Sequence, residues 1–141
     1  MGLNFSIQKM SACDVKYIQQ SLPGKYILIT TITDNLKTVP LIKGTLTAHE
    51  EETKINQIIN HNDTTNIVIY GRNNQDMSVI TKYKQLLKLG ITNVYVYIGG
   101  LFEWLLLNKC YPQLFHIESI PASYNEWLFH PPANNVLMKG V

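Results

Sequence analysis

Apolar positions along this chain fall into short continuous runs that are separated by segments of helical spacing. Four of the runs are rich in β-branched and aromatic residues and too short to favour helices: residues 25–32, 41–46, 66–70 and 94–98. A Pro-Gly pair at 23–24 precedes the first run, and a Gly-Gly pair at 99–100 follows the last. The pattern therefore predicts four β-strands.

Two predicted helices begin at capping residues. Ser11 stands three residues before Asp14, and Thr47 stands three residues before Glu50, which is the spacing of a capping box. The first helix ends at the Pro-Gly pair, and the second continues to a polar loop at 61–65. We expect one face of the second helix to bury three isoleucines: Ile55, Ile58 and Ile59.

Two further helices follow the strands at 66–70 and 94–98. In the first of them Val79, Tyr83, Leu86 and Leu87 recur at helical spacing, and Gly90 is expected to close it. The second covers residues 101–108 and is strongly apolar, and we expect its Trp104 to pack in the core.

Strands and helices thus alternate along the chain, which predicts an α/β fold with a mostly parallel sheet covered by helices on both faces, in three layers. We expect residues 1–108 to form the domain. Residues 109–141 are expected to form an extension that packs on the domain or on a partner. Prolines and aromatic residues punctuate this extension: Pro112, Phe115, Pro121, Tyr124, Trp127, Phe129, Pro131 and Pro132.

The composition of the chain argues against several classes of ligand. The chain has 141 residues, of which 45% are apolar and 16% charged, so it suits one compact domain. Its net charge of +2 is too small, and its basic residues too scattered, to predict a nucleic-acid partner. The four histidines show no ligand spacing with each other or with the cysteines. We therefore predict no metal and no cofactor.

The two cysteines and the first six residues bear on the cellular compartment and on membrane contact. Cys13 and Cys110 form no CxxC pair, so we expect buried, free thiols in a cytoplasmic, reducing compartment. No apolar run approaches the length of a membrane span. The start of the chain, from Met1 to Ser6, fits the pattern for myristoylation of Gly2, and an ordinary terminus is the alternative. Membrane contact is predicted only if Gly2 is acylated.

The segment that joins the strand at 66–70 to the next helix is the candidate functional loop. Its members are Gly71, Arg72, Asn73, Asn74, Gln75, Asp76, Met77 and Ser78. Ligands bind at the carboxyl ends of parallel strands, and free N–H groups at a helix start attract anions. The alternative is an ordinary connection in which Ser78 serves as the helix N-cap.

The chain from 66 to 108 carries a series of short motifs after its buried strand. They comprise Leu89, Gly90, Asn93, Val94, Tyr95, Gly99, Gly100 and Trp104. In identity and spacing these residues resemble the catalytic half of rhodanese-like domains. Residues 11–65 follow the order of elements in that family only loosely. The acidic and basic pair that follows the first core strand of the family is absent here, since Thr30 and Thr31 stand in its place.

The resemblance implies sulfur transfer through a persulfide on a cysteine, but this chain has Gly71 at that position and no cysteine in the loop. A thiolate is the nucleophile of such chemistry. The loop is also about two residues longer than is usual in the family. Asp76 or Met77 replaces a basic residue there, and a carboxylate would oppose a bound anion unless Arg72 offset it.

Three hypotheses of function follow from these residues. The first is a catalytically degenerate rhodanese-like domain that serves as a binding or structural module and contacts a protein through the loop, the C-terminal extension or both. The second is a sulfurtransferase that uses a non-standard thiol, although we expect neither Cys13 nor Cys110 near the loop. The third is a domain that binds a small anion or a nucleotide without covalent chemistry.

Overall fold

The computed structural model describes residues 6–33 and 39–118. The strands are β1 (Lys9–Met10), β2 (Tyr26–Thr30), β3 (Leu41–Ile42), β4 (Asn66–Tyr70), β5 (Val94–Tyr97) and β6 (Ile117–Glu118). The helices are α1 (Ala12–Ser21), α2 (Ala48–His61), α3 (Ser78–Lys88) and α4 (Gly100–Cys110). None of the helices in these ranges combines the length and the apolar character that a membrane span requires.

The main sheet contains four parallel strands in the order β1-β5-β4-β2. Its central strand β4 places Ile67 beside Ile27 on one side and beside Val94 on the other. The strand predicted at 41–46 is only partly formed. Residues 41–42 pair with β6 in a separate antiparallel sheet, and Thr45 touches the main sheet through a single bridge to Leu28.

Two clusters of buried side chains cover the two faces of the main sheet, because successive residues of β4 point to opposite faces. One cluster joins β4 residues Val68 and Tyr70 to the inner faces of α1 and α4. The other joins Ile67 and Ile69 to the inner faces of α2 and α3. The predicted three layers are therefore present, with helices on both faces of the sheet.

Three helix ends follow their predicted signals. The N–H of Asp14 donates to Ser11 Oγ at 3.1 Å, the N–H of Glu50 donates to Thr47 Oγ1 at 3.2 Å, and both capping boxes are complete. Beyond α3, Gly90 adopts a φ of +89°, which a glycine permits without strain. Both capping boxes and the glycine stop are confirmed.

Two predictions of burial are wrong. Ile59 is 40% exposed, because it lies one residue beyond Ile58 and is rotated away from the buried face of α2. Cys13 and Cys110 are both exposed free thiols. Cys13 lies off the stripe of α1 that Ala12, Val15 and Ile18 bury, and Cys110 is the last residue of α4.

The chain that follows α4 packs back on that helix. The indole N–H of Trp104 donates to the carbonyl of His116 at 2.9 Å, and the Asn108 amide donates to the carbonyl of Phe115 at 2.6 Å. The Phe115 ring meets the Trp104 ring edge-on at 5.0 Å. The rest of the predicted extension, from residue 119 to 141, lies outside the described residues, and so does Gly2.

Candidate functional site: a loop closed by its own carboxylate

The loop at 71–77 leaves β4 at the carboxyl edge of the main sheet and leads into α3. Gly71 is buried, Arg72, Asn73 and Asp76 are half-buried, and the three others are exposed. Asn73 shapes the turn, because its carbonyl accepts the N–H of Asp76 at 3.2 Å and its side-chain oxygen accepts the N–H of Gln75 at 2.9 Å. The structure thus brings the predicted loop residues together around one turn.

The carboxylate of Asp76 lies inside this turn. Its Oδ2 accepts the N–H of Arg72 at 2.9 Å, and its Oδ1 accepts the N–H of Ser78 at 3.0 Å and the Ser78 hydroxyl at 2.6 Å. These N–H groups belong to the loop and the helix start at which an anion was predicted. A carboxylate of the chain itself therefore takes up part of the predicted anion site.

Two opposing effects set the proton affinity of Asp76. Partial burial raises the pKa of this carboxyl, because it disfavours the charged form. The hydrogen bonds from the Ser78 side chain and from the N–H groups of Arg72 and Ser78 outweigh burial, so the pKa lies below its usual 3.8. Asp76 is accordingly ionised at neutral pH.

Ser78 does not act as the N-cap of α3, which corrects the prediction. It is the first residue of the helix, and Met77 at the cap position makes no side-chain capping bond. Asp76 instead accepts the Ser78 N–H, while the Ser78 hydroxyl contacts Thr31 Oγ1 at 2.7 Å. Sequence reasoning missed this role of Thr31, and no local signal links two residues so far apart in the chain.

The position of the Asp76 carboxylate leaves no room for a side chain at residue 71. A Cβ atom at Gly71 would overlap Asp76 Oδ2 and would lie 2.7 Å from Val79 Cγ2. Real Cβ atoms essentially never approach other heavy atoms so closely. Any larger residue at position 71 must therefore displace the carboxylate, the valine or the backbone.

The start of α4 fixes the loop from its other side. The N–H groups of Leu101 and Phe102 donate to the carbonyls of Gly71 and Arg72, each at 2.8 Å. Gly100 adopts a φ of +67°, and a Cβ there would lie 2.8 Å from the Gly71 carbonyl oxygen. The second glycine of the Gly-Gly pair thus permits both the backbone conformation and the close approach of loop and helix.

Tyr70 anchors the strand directly before the loop. Its buried hydroxyl accepts the N–H of Ile42 at 3.3 Å and lies 2.7 Å from Thr45 Oγ1. Burial raises the pKa of the Tyr70 phenol to about 12, although the hydrogen bonds act in the opposite direction. The loop therefore starts from a strand end that is tied to the β3 segment.

A cavity of about 640 Å³ lies beside the loop, between the starts of α1 and α4. Cys13 and Asn74 both line it, so Cys13 lies nearer to the loop than we predicted. The Tyr97 hydroxyl donates to Glu103 Oε1 at 2.6 Å, and burial, followed by that hydrogen bond, raises the pKa of the Tyr97 phenol. Glu103 is thus held by Tyr97, and Asp76 by the N–H groups of the loop.

Metal-ligating side chains are dispersed over the described part of the chain. Within residues 6–33 and 39–118, no three His, Cys, Asp or Glu side chains cluster in a way that could hold a metal ion.

These features define a three-layer α/β domain with its candidate site at the carboxyl edge of a parallel sheet. A model of the Rhodanese-like domain family matches residues 15–107, and the chain belongs to this family. The match extends well beyond the half at 66–108 that carries the sequence resemblance. The fold and family predicted from the sequence are thereby confirmed.

Solved structures agree with this fold. The BH2092 protein from Bacillus halodurans is 14% identical, with a TM-score of 0.57 over 72% of this chain and 73% of its own. The Alr3790 protein from Anabaena sp. is 16% identical, with a TM-score of 0.54 over 83% of this chain and 84% of its own. No curated protein matches the sequence. At such low identity the likeness concerns the fold alone.

Proposed function

We propose that this chain is a rhodanese-like domain that performs no cysteine-based sulfur transfer at its loop and serves as a protein-binding module. The observation that carries the proposal is the Asp76 carboxylate inside the loop, held by the N–H groups of Arg72 and Ser78. Gly71 stands where the family resemblance implies the sulfur-carrying cysteine.

The chemistry of the loop supports the absence of sulfur transfer. A persulfide needs a thiolate, and residues 71–78 include none. The Cβ atom of a cysteine at position 71 would also overlap Asp76 Oδ2. The side chain that closes the loop carries the same sign of charge as a thiosulfate ion and would repel it.

The contact between Asp76 and the loop N–H groups also disfavours the small-anion hypothesis. An external anion would have to displace Asp76 from two backbone donors and then remain close to its negative charge. The internal carboxylate is part of the chain, so it is always present at high effective concentration. A loop that satisfies its own donors is better suited to present a fixed surface than to capture an ion.

The outer surface of the loop supports a protein partner. Asn74, Gln75 and Met77 are exposed, and Met77 is 69% exposed at the start of α3. A flexible methionine among amide side chains is typical of surfaces that adapt to another protein. We further propose that the extension at 109–141 contributes to this role, in a cytoplasmic, reducing compartment, and that acylation of Gly2 would add membrane contact.

Sulfur transfer from thiosulfate to cyanide tests the proposal directly. We expect the full chain to show no turnover above the rate without protein, because no loop thiolate can accept the sulfur. Thiocyanate formation is the measurement, and an active rhodanese assayed in parallel is the positive control.

A Cys13→Ala, Cys110→Ala double variant separates the alternatives. Turnover in the native chain that disappears in this variant would establish the non-standard thiol hypothesis and overturn ours. Cys13 is then the first candidate, because it lines the cavity beside Asn74. Mass spectrometry after thiosulfate treatment would show one added sulfur atom on the reacting thiol.

Replacement of Asp76 by asparagine is expected to lower the free energy of unfolding by about 1 kcal/mol at pH 7, since one oxygen can no longer accept a charge-assisted hydrogen bond. The folded-state pKa lies below 3.8, so the advantage of the native chain is complete above about pH 5 and is lost as pH falls below 3.8. Urea unfolding of both proteins between pH 3 and pH 7 measures this difference.

Glu52→Gln is the matched control, because Glu52 is an exposed carboxylate on α2. We expect its unfolding free energy to differ from that of the native chain by no more than about 0.5 kcal/mol across the same pH range. A difference for Asp76→Asn that grew as the pH fell would contradict the place given to this carboxylate.

A further inference from the structure

The open edge of β2 is a second surface that the loop does not use. Among the strands of the described residues, β2 is the last of the main sheet, and it has β4 on one side only. The carbonyl of Lys25 and the N–H of Thr31 bond to β4, so the backbone groups of the residues between them alternate. By this alternation the N–H and carbonyl groups of Tyr26 and Leu28 point away from β4.

The described part of the chain covers this edge only in part. The N–H of Leu46 donates to the Leu28 carbonyl at 2.9 Å, and the Thr45 bridge lies at the same level. For the N–H and carbonyl of Tyr26, two residues earlier, no hydrogen-bond partner is found within residues 6–33 and 39–118. An edge strand with outward donors and acceptors is a template for a further extended segment.

Two cavities flank this edge on opposite faces of the sheet. The α1-side cavity has a volume of about 350 Å³ and is lined by Leu22, Tyr26 and Leu28 among others. The α2-side cavity has a volume of about 340 Å³ and is lined by Leu46 and by the outer residues of α2. Ile27 lines both cavities, so they lie on the two sides of one stretch of strand.

The alternation of side chains matches this arrangement. Successive residues of an added strand point to opposite faces of the sheet. Neighbouring side chains of a segment paired with Tyr26 would therefore enter the α1-side and α2-side cavities in turn. Backbone pairing would supply affinity, and the two cavities would supply specificity, as in other cases of strand addition.

Charge indicates the chemistry of the segment. Among the described residues, Lys43 is the only Lys, Arg, Asp or Glu that lines the α1-side cavity, and the exposed Lys25 directly precedes Tyr26. The α2-side cavity carries one residue of each sign, Glu50 and Lys54, so the surplus of positive charge lies on the α1 side. The nearby carboxylate of Glu118 is engaged by the N–H of Gly44 at 3.0 Å. A second copy of this chain would bring the same lysines together, so charge favours a different, acidic partner.

We infer that the Tyr26 edge of β2 binds an extended peptide segment of a partner protein, with an acidic side chain near Lys43 and apolar side chains in the flanking cavities. This inference rests on the protein-binding role proposed above and names a surface for it. It uses no residue of the loop, so the sulfur-transfer assay and the peptide experiment can fail independently.

Selection of a phage-displayed library of random heptapeptides on the immobilised full chain tests the inference. We expect enriched peptides that carry at least one acidic residue. Their affinity should be at least tenfold lower for Tyr26→Pro than for Tyr26→Ala. Both variants lose the same side chain, but only proline removes the outward N–H, and proline is tolerated where a strand N–H faces solvent.

A charge exchange gives a second readout that does not depend on the fold of the proline variant. Selection on Lys43→Glu should replace acidic residues in the enriched peptides by basic ones. The inference is overturned if no peptide is enriched, if the proline and alanine variants bind equally, or if Lys43→Glu leaves the charge preference unchanged. If the native chain forms a dimer that Tyr26→Pro dissociates, the edge binds a second copy of the chain. If peptides are enriched on Trp127→Ala and not on the native chain, the edge binds the C-terminal extension. Either result overturns the inference.

Discussion

Replacement of Trp104 by alanine is expected to lower the free energy of unfolding by about 3–5 kcal/mol, which is the range for truncation of a fully buried aromatic side chain. Trp104 has no exposed surface, and its ring meets Tyr97 at 5.9 Å and Phe115 at 5.0 Å, each edge-on. The truncation would also leave the His116 carbonyl without the indole donor. Urea unfolding followed by circular dichroism measures the loss.

Leu106→Ala is the matched control for this prediction, because Leu106 lies on the same helix and is 43% exposed. Its expected change is less than half of that for Trp104→Ala, since less apolar surface returns to water. A loss below about 1.5 kcal/mol for Trp104→Ala would contradict the packing of the Phe115 segment on α4.

Introduction of the cysteine that the family resemblance implies should damage the domain rather than restore sulfur transfer. Gly71→Cys is expected to lower the free energy of unfolding by about 1–3 kcal/mol, as overpacking of a filled site does. The new Cβ would overlap Asp76 Oδ2 and crowd Val79. Thiosulfate-dependent turnover should stay absent, because the carboxylate would still repel the substrate.

The double variant Gly71→Cys, Asp76→Gly tests this explanation. It should unfold at a higher denaturant concentration than the sum of the two single changes predicts, because removal of the carboxylate relieves part of the overlap. Asn74→Cys is the control, since it places a thiol at an exposed position of the same loop. Sulfur transfer by Gly71→Cys alone would show that Asp76 does not close the loop.

The local sequence predicted those parts of the fold that depend on neighbouring residues. The capping boxes at Ser11 and Thr47 and the stop at Gly90 each depend on residues a few positions apart, and all three are confirmed. The buried run of β4 is equally local, because four successive residues of strand-forming type, 67–70, suffice to indicate it.

The parts that the sequence did not predict depend on distant contacts. β1 and β6 contain two residues each, and their formation depends on β5 and β3 rather than on a local pattern. Within the loop, the residue types were compatible with Ser78 as the cap. Asp76 accepts the Ser78 N–H instead, and the Ser78 hydroxyl contacts Thr31, a contact that no local pattern indicates.

The carbonyls of Gly71 and Arg72 accept the amides of the second and third residues of α4, so the loop also caps that helix. The amide protons of Leu101 and Phe102 can therefore exchange with solvent water only when the loop leaves the helix. Their exchange rates therefore measure how often the loop opens. Because these amides belong to the backbone of α4, the same measurement can be made in variants with substituted loop side chains. Opening of the loop and loss of the α4 cap are thus one event.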